Sequence, residues 1–227
     1  RDLADQFDAF VLDAFGVLNV GEDPVPTAPE TLRMLRGAGK ALFVLTNGAR
    51  NPPEASRRKY VSLGYDFSLE EVVSSRDALA EGMTAHGSDF RWGVAAPPQA
   101  QIESLPGRCH YLAADLNDTF EEADGFVLLS SLAWTEALHV ELKASLARHP
   151  RPLLVGNPDL VAPHESHFSL EPGHFAHLIA DEIGIEPEFY GKPYGNAFAA
   201  ALERLDATSS APIARSRIAM VGDTLHT

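Results

Sequence analysis

The sequence predicts an α/β fold: a core built on a parallel sheet, with a second α/β unit inserted into it. Three observations predict this. Short apolar runs end in polar residues, as buried parallel strands do. Helix start and stop signals lie between those runs, and parallel strands need such crossover helices. After a long middle stretch of weaker strands the opening pattern returns, so residues 1–77 and 187–227 are expected to form the core and residues 78–186 the insert.

Taken in order, Phe10-Val11-Leu12 reads as a buried strand ended by Asp13, with Gly16 in the following turn. Thr27-Ala28-Pro29-Glu30 reads as a capping box with proline in the first turn. It opens a helix through Leu32, Met34 and Leu35 that stops near Gly37. Ala41-Leu42-Phe43-Val44-Leu45 is a second buried strand, ending at Thr46-Asn47-Gly48. Pro52-Pro53-Glu54 begins a helix to about Leu63, and Ser68-Leu69-Glu70-Glu71 reads as another capping box. In the middle, strands are expected around Trp92-Gly93-Val94, Phe126-Val127-Leu128-Leu129 and Leu153-Leu154-Val155, with a helix from Trp134 to Ala147. Gly156-Asn157-Pro158-Asp159 follows the last of these strands. Phe175, Leu178 and Ile179 have helical spacing and read as a packing stripe. In the tail, Gly191-Lys192-Pro193 precedes a helix carrying Phe198, Ala201, Leu202 and Leu205. The strand Arg217-Ile218-Ala219-Met220-Val221 then ends at Gly222-Asp223-Thr224.

Composition narrows the function. The chain has 227 residues, 18 basic against 32 acidic side chains and a formal net charge of −14. Such a balance argues against nucleic acid or an anionic membrane surface as a partner. The single cysteine, Cys109, excludes an intramolecular disulfide, and the pair Cys109-His110 does not make a zinc site. A reducing compartment fits, and the cytoplasm is the expected location. No apolar run approaches the roughly 18 residues of a membrane helix. The start lacks both an initiator Met and signal-peptide character, so a trimmed N-terminus is expected. Arg57-Arg58-Lys59 reads as a solvated helix face, and Trp92 and Trp134 as core of the insert.

Four places carry chemistry: Asp13, Thr46-Asn47, Lys192 and Asp223. Asp13, Thr46 and Asp223 each follow an apolar strand, and in an open parallel sheet ligands bind at the carboxyl ends of the strands. These residues can therefore converge although far apart in sequence. Two carboxylates suit a hard divalent cation such as Mg²⁺. A Thr hydroxyl, backbone amides and a Lys ammonium suit a phosphate. A carboxylate facing a phosphoryl group can act as nucleophile. Singly, each position is an ordinary turn residue; together and in this order they point to phosphoryl transfer.

Asp13-Ala14-Phe15-Gly16-Val17-Leu18, Leu45-Thr46-Asn47-Gly48, Gly191-Lys192-Pro193 and Val221-Gly222-Asp223-Thr224 resemble the four motifs of the haloacid dehalogenase-like hydrolases. Only 33 positions separate Asp13 from Thr46, whereas 146 separate Thr46 from Lys192. The second gap leaves room for an inserted cap of about 100 residues. That layout, with Asn157 and Asp159 inside the cap, resembles the nitrophenylphosphatase-like and sugar-phosphatase-like branch, subfamily IIA. The resemblance spans essentially the whole chain.

The resemblance implies a Rossmann-like core with a cap, and an Mg²⁺-dependent phosphatase acting on a small phosphate monoester (sugar phosphate, nucleotide or aryl phosphate). It implies that Asp13 is the nucleophile and that Thr46, Asn47, Gly48 and Lys192 hold the phosphate. Asn157 and Asp159 are expected to contribute to substrate binding. Asp13, the backbone carbonyl of Phe15 and Asp223 are expected to bind Mg²⁺. The partner is then a small phosphorylated metabolite; a homodimer is left open. Two departures stand out. Phe15 occupies the position where most such phosphatases carry a second Asp that protonates the leaving oxygen, so slow turnover is expected, or a substitute from His164 or His167. The family motif also continues with another acid beyond Gly-Asp-Thr, so a last strand and helix are expected past Thr227. Two alternatives follow: a phosphate-ligand binding protein with lost or residual catalysis, and a haloacid dehalogenase. The second is disfavoured because such enzymes carry their cap between the first two motifs.

Overall fold

The structure is a computed structural model that describes residues 2–113, 117–163 and 168–223; His164, His167 and Thr224 lie outside the described residues. In chain order the strands that build the two main sheets are β1 (Ala9–Asp13), β2 (Ala41–Thr46), β3 (Val72–Ser74), β4 (Arg91–Ala95), β5 (Arg108–Tyr111), β6 (Gly125–Leu128), β7 (Leu153–Val155), β8 (Glu188–Phe189) and β9 (Ile218–Val221). The longer helices are α1 (Ala28–Gly37), α2 (Pro53–Ser62), α3 (Ser75–Thr84), α4 (Glu136–Arg148), α5 (Pro172–Ile183) and α6 (Gly195–Thr208). Two small antiparallel hairpins, Asn19–Val20 with Asp23–Pro24 and Val161–Pro163 with Phe168–Leu170, stand apart from these sheets.

The chain divides into two compact units. The first comprises the stretch up to Thr46, Pro53–Ser74 and the stretch from Gly195. Its sheet is wholly parallel, in the order β9-β1-β2-β3, with Asp13 opposite Leu45, Leu12 opposite Val221 and Thr46 opposite Ser74. Alternate side chains of a strand point to opposite faces, and both faces here are covered. Phe10, Leu12, Leu42 and Val44 pack with Leu32 of α1 and Tyr60 of α2, and with Tyr65 and Phe67. Ala9, Val11, Phe43 and Leu45 pack against Ala197, Ala201 and Leu205 of α6. Burial on both sides is why these strands read as unbroken apolar runs.

The second unit comprises Asn47–Pro52 and Ser75–Tyr194. Its sheet is also parallel, in the order β8-β7-β6-β4-β5. On one face Phe126, Leu128, Leu153 and Val155 meet Leu138, Leu142 and Leu146 of α4 and Ala176 and Ile179 of α5. On the other, Trp92, Val94, Val127 and Leu154 meet Leu79 and Met83 of α3, together with Ala100 and Ile102.

The structure departs from the sequence reading at identifiable places. The second unit takes in Asn47–Pro52 and Ser75–Tyr194, where the sequence reading has 78–186. The reason is pairing: Glu188–Phe189 hydrogen-bonds to β7, which ties that segment to the second sheet. Ser68-Leu69-Glu70-Glu71 opens no helix. The Glu71 carboxylate is instead held bidentately by Arg36, at 2.7 and 3.0 Å, and accepts from the Ser68 N–H, while Val72-Val73 adds β3 to the first sheet. Thr27 does not cap α1 through its side chain; it lies in the left-handed region at φ 68°. α4 starts later than expected, at Glu136, where the Thr135 hydroxyl accepts from the Leu138 N–H. Of the expected stripe on α5, Ile179 is buried but Leu178 is exposed, and Ala176 completes the packed face. Trp92 is fully buried, and Trp134 is partly buried against the core and stacks on Phe175 with ring centroids 4.5 Å apart.

Candidate active site

In the first unit three of the expected residues stand at one edge of the sheet. Asp13 ends β1 and Thr46 ends the neighbouring β2. Asp223 lies two residues beyond the end of β9, the neighbour on the other side. Parallel pairing therefore sets all three at carboxyl ends of adjacent strands. Asp13 is buried, and its Oδ1 accepts the Ala14 N–H at 2.6 Å. Beyond it the chain turns back on itself: the Ala14 carbonyl accepts from Leu18 and Asn19, and the Gly16 N–H donates to the Asn19 carbonyl.

Gly16 decides the shape of this turn. It has φ +80°, a conformation that side chains resist. A Cβ added there would lie 2.7 Å from Oδ2 of Asp223 and 2.8 Å from its Cβ. The turn after β1 thus packs directly on the Asp223 side chain. Among the described residues no donor takes the carbonyl of Phe15 in this turn. Two carboxylates and an unused carbonyl at one sheet edge are hard oxygen donors, and they fit Mg²⁺, which takes one or two carboxylates. Among the described residues no group of three or more His, Cys, Asp or Glu side chains could hold a metal ion. The Phe15 side chain is exposed and supplies no titratable group.

Tyr60, which reads in the sequence as part of a basic helix, belongs to the same edge. It is buried on α2, and its hydroxyl hydrogen-bonds with the Thr46 side chain. Burial pushes its phenol well above the ordinary tyrosine range, with the nearby Asp13 charge adding to the shift. A neutral Tyr60 therefore fixes the rotamer of the Thr46 hydroxyl. Its signal in the sequence is faint: it sits four residues after Ser56, the other buried residue of α2.

In the second unit the remaining expected residues form a polar network. Asn47 is buried and spans two loops through one amide. Its Nδ2 donates to Oδ1 of Asp159 at 2.8 Å and to the Lys192 carbonyl at 2.9 Å, while its Oδ1 accepts the Lys192 N–H at 2.7 Å. Lys192 is itself buried. Gly191 has φ +133°, and a Cβ there would meet Oδ1 of Asn47 and Cδ of Pro158, both at 2.7 Å. Asn157 folds its own loop, accepting the Asp159 N–H at 3.0 Å, and donates to Glu171 at 3.1 Å. The side chains of Asn47 and Asn157 thus tie their loops together through both backbone and carboxylate partners. Gly48 is exposed.

The profile of the family described as haloacid dehalogenase-like hydrolase matches residues 10–104, a span that includes Asp13, Thr46 and Asn47. The match covers the first part of the chain, and it is a likeness carried by those residues. Among curated proteins, the chain is similar to an acid sugar phosphatase of Staphylococcus aureus (strain MRSA252). They share 26% identity over 98% of this chain and 81% of that protein. Solved structures with the same fold include a possible sugar phosphatase from Cytophaga hutchinsonii, with TM-score 0.88 and 22% identity over 100% of this chain and 81% of that one. A 4-nitrophenylphosphatase from Thermotoga maritima gives 0.81 and 22%, covering 99% and 81%. A glycerol phosphate phosphatase from Mycobacterium tuberculosis in complex with magnesium gives 0.80 and 19%, covering 99% and 64%.

Proposed function

We propose that this protein is a phosphatase that cleaves a small phosphate monoester through an aspartyl-phosphate on Asp13. The observation that carries the reading is that Asp13 and Asp223 lie at the ends of neighbouring strands, with Gly16 packed on Asp223. The names of its relatives, phosphatases of sugar, nitrophenyl and glycerol phosphates, support the same reaction class.

In this reading Asp13 attacks phosphorus, the bond from phosphorus to the ester oxygen breaks, and water later releases phosphate from Asp13. Thr46, oriented by Tyr60, donates its hydroxyl to a phosphoryl oxygen, and the amides of Asn47 and Gly48 and the Lys192 ammonium complete the phosphate's partners. Asp13, the Phe15 carbonyl and Asp223 would hold Mg²⁺, which when bound supplies positive charge to the phosphoryl oxygens. The second unit acts as the cap that selects substrate, with Asn157 and Asp159 shaping its loop. The expected setting is the cytoplasm; among the described residues no helix is long and apolar enough to cross a membrane.

Phe15 favours a second reading, a phosphate-ligand binding protein, because it can neither protonate a leaving alkoxide nor activate water. One experiment decides between the two: phosphate release from p-nitrophenyl phosphate and a panel of sugar phosphates, with and without Mg²⁺, beside Asp13→Asn. Release that needs both Mg²⁺ and Asp13 is expected. Phosphate and Mg²⁺ binding by a folded protein that releases none from any ester would leave the binding reading standing.

A further inference from the structure

The most deeply buried guanidinium among the described residues is that of Arg76, the second residue of α3, and nothing above accounts for it. It is 3% exposed, and among the described residues it forms no ion pair with a carboxylate. Its donors go to neutral acceptors. One guanidinium nitrogen donates to the carbonyls of Ala49 and Arg50, at 3.2 and 3.3 Å. The other donates to the Gln101 carbonyl and the Ser104 hydroxyl, both at 2.9 Å. Gln101 lies in the left-handed region at φ 49°, and its carbonyl also accepts from Ser104. Burial opposes the charge on Arg76, and the carboxylates of Asp77 and Glu103 act on it only through space, with no direct ion pair, so an ordinary packing role is a poor explanation.

The segment it grips is Asn47–Pro52, which leads directly from the Thr46 strand end. The Ala49 methyl is buried in the apolar cluster, and the Ala49 N–H donates to the Asn47 carbonyl. In a trans peptide the N–H points opposite to the C=O of the same unit. With the carbonyls of Ala49 and Arg50 turned toward Arg76, the N–H groups of Arg50 and Asn51 turn away from it. Among the described residues neither N–H has an acceptor.

We infer that Arg76 is a positioning residue: by holding two carbonyls it aims the amides of Arg50 and Asn51 at an anion, extending the phosphate-binding segment beyond Asn47 and Gly48. The inference rests on the proposed phosphatase reading. Arg76 touches no substrate. It fixes which side of the segment presents donors, and its buried charge favours an anion on the opposite side of those peptides.

Two variants test this, Arg76→Gln, which removes the charge and the forked geometry, and Arg76→Lys, which keeps the charge alone. With p-nitrophenyl phosphate as substrate and inorganic phosphate as competitor, Arg76→Gln should raise both KM and the phosphate inhibition constant about tenfold, the scale of one charge-assisted hydrogen bond. The kcat should change far less, and Arg76→Lys should fall between. Hydrogen exchange should quicken at the amides of residues 48–51 and stay unaltered in β1 and β2. If Arg76→Gln does not fold, Arg76→Lys carries the test. A loss of melting temperature with KM, inhibition constant and exchange at 48–51 unchanged would overturn the inference and leave the phosphatase intact. A wild-type chain that neither hydrolyses nor binds phosphate would overturn both.

Discussion

The two polar regions of this protein are positioned by different means. In the first unit, Asp13, Thr46 and Asp223 owe their places to strand register: apolar residues bury β1, β2 and β9, and the polar residue comes where each strand ends. In the second, Asn47, Asp159 and Lys192 lie on loops, and side-chain-to-backbone hydrogen bonds hold those loops together. A register-held carboxylate can be changed without disturbing the scaffold. A clamp residue cannot, because its removal strands buried partners. Chemistry and stability should therefore separate cleanly between the two regions.

The sharpest way to break that comparison is Asp13→Asn. It should lower phosphate release by on the order of 10⁴-fold or more, with a melting temperature close to wild type; a variant that unfolds would erase the distinction. Next comes Phe15→Asp, which puts an acid two residues after Asp13. A gain of about 10²–10⁴-fold in kcat for alkyl phosphates is expected from general acid–base help, and no gain would mean that another group already supplies it. Asn47→Ala should act in the opposite sense to Asp13→Asn. It leaves the buried Lys192 N–H unpaired and should destabilise folding by about 2–4 kcal/mol in denaturant titration. Gly16→Ala tests the tight turn: a strained φ and the clash with Asp223 should cost about 1–3 kcal/mol and weaken Mg²⁺ binding measured by calorimetry.

The smallest effect concerns pH and lies away from both regions. The Arg217 guanidinium, bonded to the Asp8 carboxylate, holds that acid below its ordinary range, and Lys40 adds to the pull. A depressed folded-state pKa means stability present above the ordinary carboxylate range and lost as pH falls through the lowered value. Asp8→Asn should flatten the acid limb of melting temperature against pH slightly, and leave the neutral limb nearly unchanged.

Much of this was legible in the residues themselves. Asp13, Thr46 and Asp223 could be found because each interrupts an apolar run at the point where a buried parallel strand must end. Phe15 stood out by what it lacks. Tyr60 was hidden because a tyrosine after Arg57-Arg58-Lys59 reads as surface, and only the packing of α2 turns it toward Thr46. Arg76 was hidden because burial of a cation has no periodic signature. The strand at Glu188–Phe189 was hidden for a related reason. Glu188–Phe189 is too short and too polar to read as a strand, and only its pairing with Leu154 and Val155 assigns it. Thr27 and Ser68 show the converse: a local capping pattern yields when tertiary partners, such as Arg36 for Glu71, claim its members.

The position of β1 has a consequence for how the molecule is made. It is an interior strand, paired with β2 on one side and with β9 on the other, and the Asp8–Arg217 ion pair just before it joins residues 209 positions apart. A ribosome delivers β1 before β9, and the second unit emerges between them. Until β9 follows, one edge of β1 therefore offers unpaired amides and carbonyls beside an apolar face, the arrangement that recruits stray strands. The nascent chain has the greatest need of a chaperone during this interval, and the strand that ends the need also brings Asp223 into place.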